Sequence, residues 1–148
     1  NNVANSLMIC GAMLGVNVKI CSPKGFEADS KIVEKAKSLS EFGSKISISN
    51  DPLKAMKDAQ VIYTDVWASM GQEEEHLKRK KIFENYKVDQ KLIELADEGA
   101  IILHCLPAHR GEEITEEALE SKSSHVFDQA ENRLHVQQAL LAVQLGGI

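Results

Sequence analysis

A chain of 148 residues is one domain by length, and its 43% hydrophobic and 26% charged residues are typical of an ordinary globular protein. Its net charge of −5 and the lack of a basic cluster with interleaved aromatic residues argue against nucleic acid as a partner. No signal peptide, no apolar run near the ~20 residues that span a bilayer and no short disulfide spacing are visible, so the sequence predicts a cytoplasmic protein without a membrane partner.

Helical and strand-like patterns alternate along the whole chain. In chain order they predict a helix at 2–14, a strand at 16–22, a helix at 29–42, a strand at 45–49, a helix at 51–59, a strand at 61–65, a long connection at 67–88 with a helical piece, a helix at 90–96, a strand at 100–105, a helix at 115–121, a strand at 126–128 and a final helix at 131–145. This alternation indicates a three-layer α/β/α fold of the Rossmann-like kind, with helices on both faces of a parallel sheet of about four to five strands. Because the chain opens on a helix, we expect the domain's first strand to be missing and the sequence to be part of a longer protein.

Four polar residues are predicted at the carboxyl edge of this sheet, where open α/β sheets bind their ligands. Asp65 ends one buried strand and Cys105 ends another. Asn2 opens the first helix, and Arg133 is expected in the first turn of the last helix, after the strand at 126–128. Together they predict a site for a small polar molecule.

The thiol of Cys105 admits three interpretations: a nucleophile, a thiolate that contacts a ligand, or a core residue. His104 is adjacent in a strand and points to the opposite face, so a protease-like Cys–His mechanism is disfavoured. A thiolate is favoured if Arg133 or a helix N-terminus lies nearby. His104, Cys105 and His109 also form a loose set of metal ligands, but paired ligand spacings are lacking and we predict no metal site. Cys10 and Cys21 are expected to pack as small core hydrophobes.

Two short segments flank these strand ends. Leu106-Pro107 is typical of a tight turn that can take a cis bond. Ser69-Met70-Gly71 lies in the long polar connection, and loops of this kind in compact domains are often functional, so we expect a mobile binding loop there.

Four stretches resemble the ornithine-binding half of the ornithine carbamoyltransferase family: 1–8, 65–73, 104–107 and 131–133. The pair of Ser-Met-Gly after Asp65 and His-Cys-Leu-Pro at 104–107 is specific, and the related aspartate-using transferase lacks the Ser-Met-Gly loop. The similarity covers essentially all 148 residues in the right order, so residues 1–148 are interpreted as an incomplete ornithine-binding domain.

The resemblance implies a chemistry and a set of contacts. The neutral δ-amine of L-ornithine attacks carbamoyl phosphate, and L-citrulline and phosphate leave, without a metal or an organic cofactor. Carried over by position, the ornithine-binding residues are Asn2, Asp65, Ser69 and Met70, and the carbamoyl phosphate-binding residues are Cys105, Leu106 and Arg133. Cys105 lies beside the δ-amine, where it holds or deprotonates the amine, and Asp65 takes the α-ammonium group. The family also implies a homotrimer, or a multiple of trimers, in arginine biosynthesis or the urea cycle.

The chain also departs from the family. The N-terminal domain and its Ser-Thr-Arg-Thr phosphate motif are absent, so we expect no turnover by this chain alone. Apolar residues of the last helix, which packs on that domain in the family, are expected to drive association or a swapped contact. Three alternatives stay open: a related carbamoyltransferase that uses putrescine or an acylated ornithine, a dinucleotide-binding module, and a non-catalytic binding module.

Overall fold

The structure, a computed structural model, describes residues 1–68 and 73–146. The chain divides into two compact units, Asn1–Lys57 and Asp58–Ile148. The first unit contains α1 (Asn2–Met13), β1 (Val18–Cys21), α2 (Ser30–Ser38), β2 (Ile46–Ser49) and α3 (Pro52–Met56). The second contains β3 (Val61–Thr64), α4 (Glu73–Phe83), a 3-10 helix (Glu84–Tyr86), α5 (Gln90–Ile93), β4 (Ile101–His104), α6 (Glu116–Leu119) and α7 (Val126–Gln144).

The first unit is built on the parallel pair β1–β2, in which Val18 lies opposite Ile46. Helices α1 and α2 bury an apolar cluster against it: Met8, Ala12, Val33, Ala36 and Ile46. The sequence allows this close packing because residue 11 is glycine, and a Cβ placed there would lie 2.5 Å from Cγ2 of Val18. Short polar side chains begin the helices, as at Asp51, whose Oδ1 accepts the N–H of Leu53 at 3.1 Å.

The second unit is built on the parallel pair β3–β4, with Tyr63 opposite Leu103 and Thr64 opposite His104. A short extended segment continues the pairing beside β4, because the N–H of Ile102 donates to the carbonyl of Ser123 at 2.8 Å. The buried apolar residues of the second unit are Ile62, Trp67, Ala68, Val88, Leu92, Ala100, Ile102, Ile114, Ala118, Leu119 and Val126.

The α/β class and the parallel strands are confirmed, as is the helical piece in the long connection, which is α4. The predicted strand at 126–128 is wrong, because α7 already begins at Val126. Its β-branched and aromatic residues have strand propensity, but Phe127 is 63% exposed and Val126 alone is buried, so context overrides propensity. Arg133 therefore lies well inside α7, and its expected place in the first turn is wrong.

The structure also gives the burial of the cysteines and of the apolar residues in the last helix. Cys10 was expected in the core and is exposed, while Cys21 is partly buried and all three cysteines are free. The apolar residues of the last helix are largely solvent-accessible in the structure, with Leu134 56%, Leu141 59% and Leu145 82% exposed. None of the helices in the described part of the chain has the length and apolar content needed to cross a bilayer.

Candidate functional site

The strand register brings Asp65 and Cys105 together. Thr64 and His104 lie opposite each other as the last residues of β3 and β4, so the next residue of each strand leaves the same edge. The Sγ–H of Cys105 donates to Oδ1 of Asp65 at 3.1 Å. The same carboxylate oxygen accepts the N–H of Val66 at 2.8 Å, which fixes its orientation. Two of the four residues predicted at this edge are therefore in direct contact.

The environment of Cys105 stabilises its thiol form. Burial raises its pKa to about 11, and the hydrogen bond to Asp65 and the negative charge of that carboxylate act in the same direction. The hypothesis of a thiolate favoured by Arg133 or a helix N-terminus is therefore wrong for the chain as described. At neutral pH Cys105 is a hydrogen-bond donor.

A buried histidine lies on the other side of this strand end. His104 is 1% exposed, and its Nδ1 accepts the N–H of Leu106 at 2.8 Å. Because Nδ1 is an acceptor, Nε2 carries the proton and donates to Oε1 of Glu113 at 3.2 Å. This arrangement holds a turn in which Leu106 has a φ of 55° and the Leu106–Pro107 bond is cis.

A glutamine of α7 supports the same segment. Oε1 of Gln129 accepts the backbone N–H of His104 at 3.0 Å, and its Nε2 donates to the hydroxyl of Tyr63 at 3.0 Å. Burial raises the pKa of Tyr63, so the hydroxyl stays protonated at neutral pH. Sequence reasoning missed Glu113, Gln129 and Tyr63, because nothing local distinguishes them from surface or strand residues.

A cleft of about 620 Å³ opens beside Cys105. Its lining residues are Cys105, Leu106, Pro107, Ala130, Arg133, Leu134 and Gln137. The guanidinium of Arg133 is exposed there and makes no ion pair with any residue of the described ranges. A planar cation with free donors beside a thiol suits a small ligand that carries phosphate or carboxylate oxygens.

Three residues of the predicted ornithine site remain, namely Asn2, Ser69 and Met70. Asn2 is the first residue of α1 in the first unit, and the N-cap is Asn1, whose Oδ1 accepts the N–H of Ala4 at 3.0 Å. Ser69 and Met70 lie outside the described residues. The roles of Asn2, Ser69 and Met70 stay predictions.

The segment before the Ser-Met-Gly sequence is firmly held. Trp67 is buried, its ring lies 5.9 Å from that of Phe83, and its carbonyl accepts from Nη1 of Arg79 at 3.1 Å. The metal-ligand set considered from the sequence does not assemble, because His104 faces Glu113 and Cys105 faces Asp65.

Comparison with known proteins places this geometry in a family. The family described as aspartate/ornithine carbamoyltransferase, Asp/Orn binding domain, matches residues 1–144. The ornithine carbamoyltransferase of Prochlorococcus marinus strain SARG is 64% identical over 148 residues, which are 100% of this chain and 46% of that protein. The ornithine carbamoyltransferase of Thermococcus kodakarensis is 52% identical over 100% of this chain and 47% of its own length.

Solved structures agree with the sequence relatives. Ornithine carbamoyltransferase from Pyrococcus furiosus superposes with a TM-score of 0.92 and 50% identity, over 97% of this chain and 46% of that one. The anabolic ornithine carbamoyltransferase of Campylobacter jejuni gives a TM-score of 0.89 and 40% identity, over 97% of this chain and 48% of that one. The chain spans about half the length of the relatives that it matches. It belongs to the aspartate/ornithine carbamoyltransferase family and corresponds to the Asp/Orn binding domain.

Proposed function

We propose that this chain is the amino-acid-binding half of an enzyme that transfers the carbamoyl group of carbamoyl phosphate to the δ-amine of L-ornithine, giving L-citrulline and phosphate. The observation that carries the proposal is the contact of 3.1 Å between Sγ of Cys105 and Oδ1 of Asp65, beside the cleft that Arg133 lines. The ends of β3 and β4 thus offer a carboxylate for an ammonium group and a thiol donor, and α7 adds a cation for phosphate oxygens.

The reaction needs a neutral amine and a stabilised leaving group. The amine nitrogen forms a bond to the carbonyl carbon, the bond from that carbon to the phosphate oxygen breaks, and the proton that the amine loses passes to the departing phosphate. An unperturbed amine with a pKa near that of lysine, about 10.4, is mostly protonated at neutral pH, so the site has to select the neutral form. The raised pKa of Cys105, about 11, makes holding the amine the better role for this thiol than deprotonating it.

The other roles follow from the resemblance. Asn2, Ser69 and Met70 complete the ornithine site with Asp65, and Leu106 joins Cys105 and Arg133 at carbamoyl phosphate. No metal or organic cofactor takes part in this scheme. We further propose a cytoplasmic trimer in arginine metabolism, and no turnover by this chain alone, since full-length relatives are about twice as long. Sedimentation of the whole protein tests the trimer.

N-acetyl-L-ornithine is a second candidate acceptor. N-acetyl-L-ornithine transcarbamylase superposes with a TM-score of 0.81 but 28% identity, over 95% of this chain. An acetylated α-amine carries no positive charge, so the carboxylate of Asp65 favours the free amino acid. L-Ornithine is therefore the first choice of acceptor.

Calorimetric titration of the chain with L-ornithine, N-acetyl-L-ornithine and putrescine tests this choice. We expect weak binding of L-ornithine only, lost in Asp65→Asn and kept in Asp128→Asn, which removes an equal charge from an exposed side chain. Preference for either other amine would contradict the ornithine assignment. Citrulline formation by the full-length protein, measured with the same three amines, tests the reaction itself.

A further inference from the structure

A second cluster of polar side chains lies in the loop after the cleft residues. Among the described residues, donor atoms of His109, Glu112 and Glu113 lie within 4.8 Å of one another. The three side chains are buried to different degrees: that of His109 is 50% exposed, that of Glu112 17% and that of Glu113 0%. None of its members lines the cleft beside Cys105. The cluster is therefore distinct from that cleft.

One oxygen of Glu113 lacks a partner inside this cluster. Its Oε1 accepts from Nε2 of His104 at 3.2 Å and from the N–H of His109 at 2.6 Å. Its Oε2 is buried without any hydrogen-bond partner among the described residues. A buried carboxylate oxygen without a partner costs free energy of about 1–3 kcal/mol or more, so such an atom calls for a ligand.

The spacing of the atoms around this oxygen fits a cation. Oε2 of Glu113 lies 3.9 Å from Nδ1 of His109. That is too long for a hydrogen bond, but two ligand bonds of about 2.0–2.2 Å to one shared ion span this distance. Oε1 of Glu113, which faces His104, can keep its two hydrogen bonds when Oε2 binds an ion.

The third carboxylate is already oriented by neighbours from α4. Oε2 of Glu112 lies 2.8 Å from Nε2 of His76, and its Oε1 lies 3.2 Å from Nζ of Lys80. A carboxylate has about four lone-pair positions, so these contacts leave room for an ion. Carboxylates that ligate a metal are themselves held by hydrogen bonds, and His76 supplies one to Glu112. The ammonium of Lys80 opposes a cation and weakens its binding.

We propose that His109, Glu112 and Glu113 bind one divalent transition-metal ion of the zinc class, through Nδ1 of His109 and the two carboxylates. One imidazole and two carboxylates, all nitrogen and oxygen donors, suit Zn2+ or Co2+. His76 is a positioning residue that orients Glu112, and Lys80 sets the affinity below that of a site without a competing cation. The ion joins the start of α4 to the loop after β4 through this outer contact.

Cobalt is the appropriate probe, because its visible absorption reports coordination and a thiolate ligand adds an intense near-ultraviolet charge-transfer band. We titrate the chain with Co2+ and then displace it with Zn2+. The expected result is one saturable site with visible bands and no thiolate band. Absence of saturable binding overturns the proposal, and a thiolate band overturns it by assigning the ion to Cys105.

His109, Glu112 and His76 are partly exposed, so variants of these residues, and not of the buried Glu113, keep the test independent of folding. His109→Ala and Glu112→Gln should abolish the visible bands, and His76→Ala should weaken binding about 10- to 100-fold. Lys80→Gln should tighten it, an effect that a merely structural role of the cluster does not produce. The control is His135→Ala, which removes an exposed imidazole that also lies near a carboxylate, at 3.3 Å from Glu131. Binding that survives His109→Ala, with circular dichroism unchanged, overturns the proposal.

Discussion

The contact between Asp65 and Cys105 makes a quantitative prediction about the thiol. The pKa of Cys105 is raised from 9.0 to about 11, first by burial and then by the hydrogen bond and charge of Asp65. Asp65→Asn removes the negative charge and leaves the burial. The pKa of Cys105 should therefore fall, but stop above its ordinary value, because desolvation of the thiolate persists.

The magnitude follows from the size of the shift. Burial is the largest cause of the shift, so removing the charge of Asp65 should reverse only part of it, and each pKa unit recovered corresponds to about 1.4 kcal/mol between the two protonation states. Well below the pKa, the thiolate fraction changes tenfold for each unit. A thiolate also becomes less nucleophilic as its pKa falls, so Asp65→Asn should speed alkylation of Cys105 severalfold, and less than the thiolate fraction rises, at a fixed pH near neutrality.

The assay is the rate of iodoacetamide alkylation against pH, with Cys10 and Cys21 replaced by serine so that one thiol reports. Asp128→Asn is the matched control, since it removes one exposed negative charge from α7. It should leave the profile unchanged. A profile that Asp65→Asn leaves in place, or moves to higher pH, would refute the proposed electrostatic role of Asp65.

Other predictions concern stability, measured as the free energy of unfolding in urea. Gly11→Ala places a Cβ 2.5 Å from Cγ2 of Val18. Overpacking costs about 1–3 kcal/mol, which outweighs the gain of about 1 kcal/mol from the higher helix propensity of alanine, so the variant should be less stable. This loss of stability should vanish in a Val18→Ala background. Folding raises the pKa of both Cys21 and Cys105 from 9.0 to about 11, so their contribution to the free energy of unfolding is complete below pH 9 and is lost as the pH rises toward 11. Replacing both residues by alanine should flatten that part of the stability profile against pH. Thr115→Ala removes an N-cap whose Oγ1 accepts the N–H of Ala118 at 3.2 Å and should cost about 1 kcal/mol, whereas Thr115→Ser should cost much less.

The sequence was sufficient to predict that Asp65 and Cys105 lie at one strand edge, for a specific physical reason. Asp65 and Cys105 each follow an apolar run, and parallel strands end at a common edge. The register of Thr64 with His104 then makes the two residues direct neighbours. The alternation of strands and helices also predicted the α/β class. These inferences depend only on local patterns and on the geometry of parallel sheets.

The residues that support the site could not be found in this way. Glu113 lies in an acidic loop, where a carboxylate is usually solvated, and only the tertiary structure shows that it is 0% exposed beside His104. Gln129 gave no signal, because one amide on a helix is ordinary. The strand predicted at 126–128 failed because a short apolar pattern alone does not separate a strand from the first turn of a helix. The position of Arg133 was misjudged for the same reason.

The proposed function also links ligand binding to the state of the thiol. Asp65 contributes to the raised pKa of Cys105 because its carboxylate accepts the thiol hydrogen and repels the thiolate. Under the proposed function an α-ammonium group approaches this carboxylate and compensates its charge. The pKa of Cys105 should then fall as the amino acid binds, in the same direction as in Asp65→Asn. Binding of the α-ammonium group and the fall of the thiol pKa are then two effects of one ion pair at Asp65, which ties the chemistry of Cys105 to an occupied site.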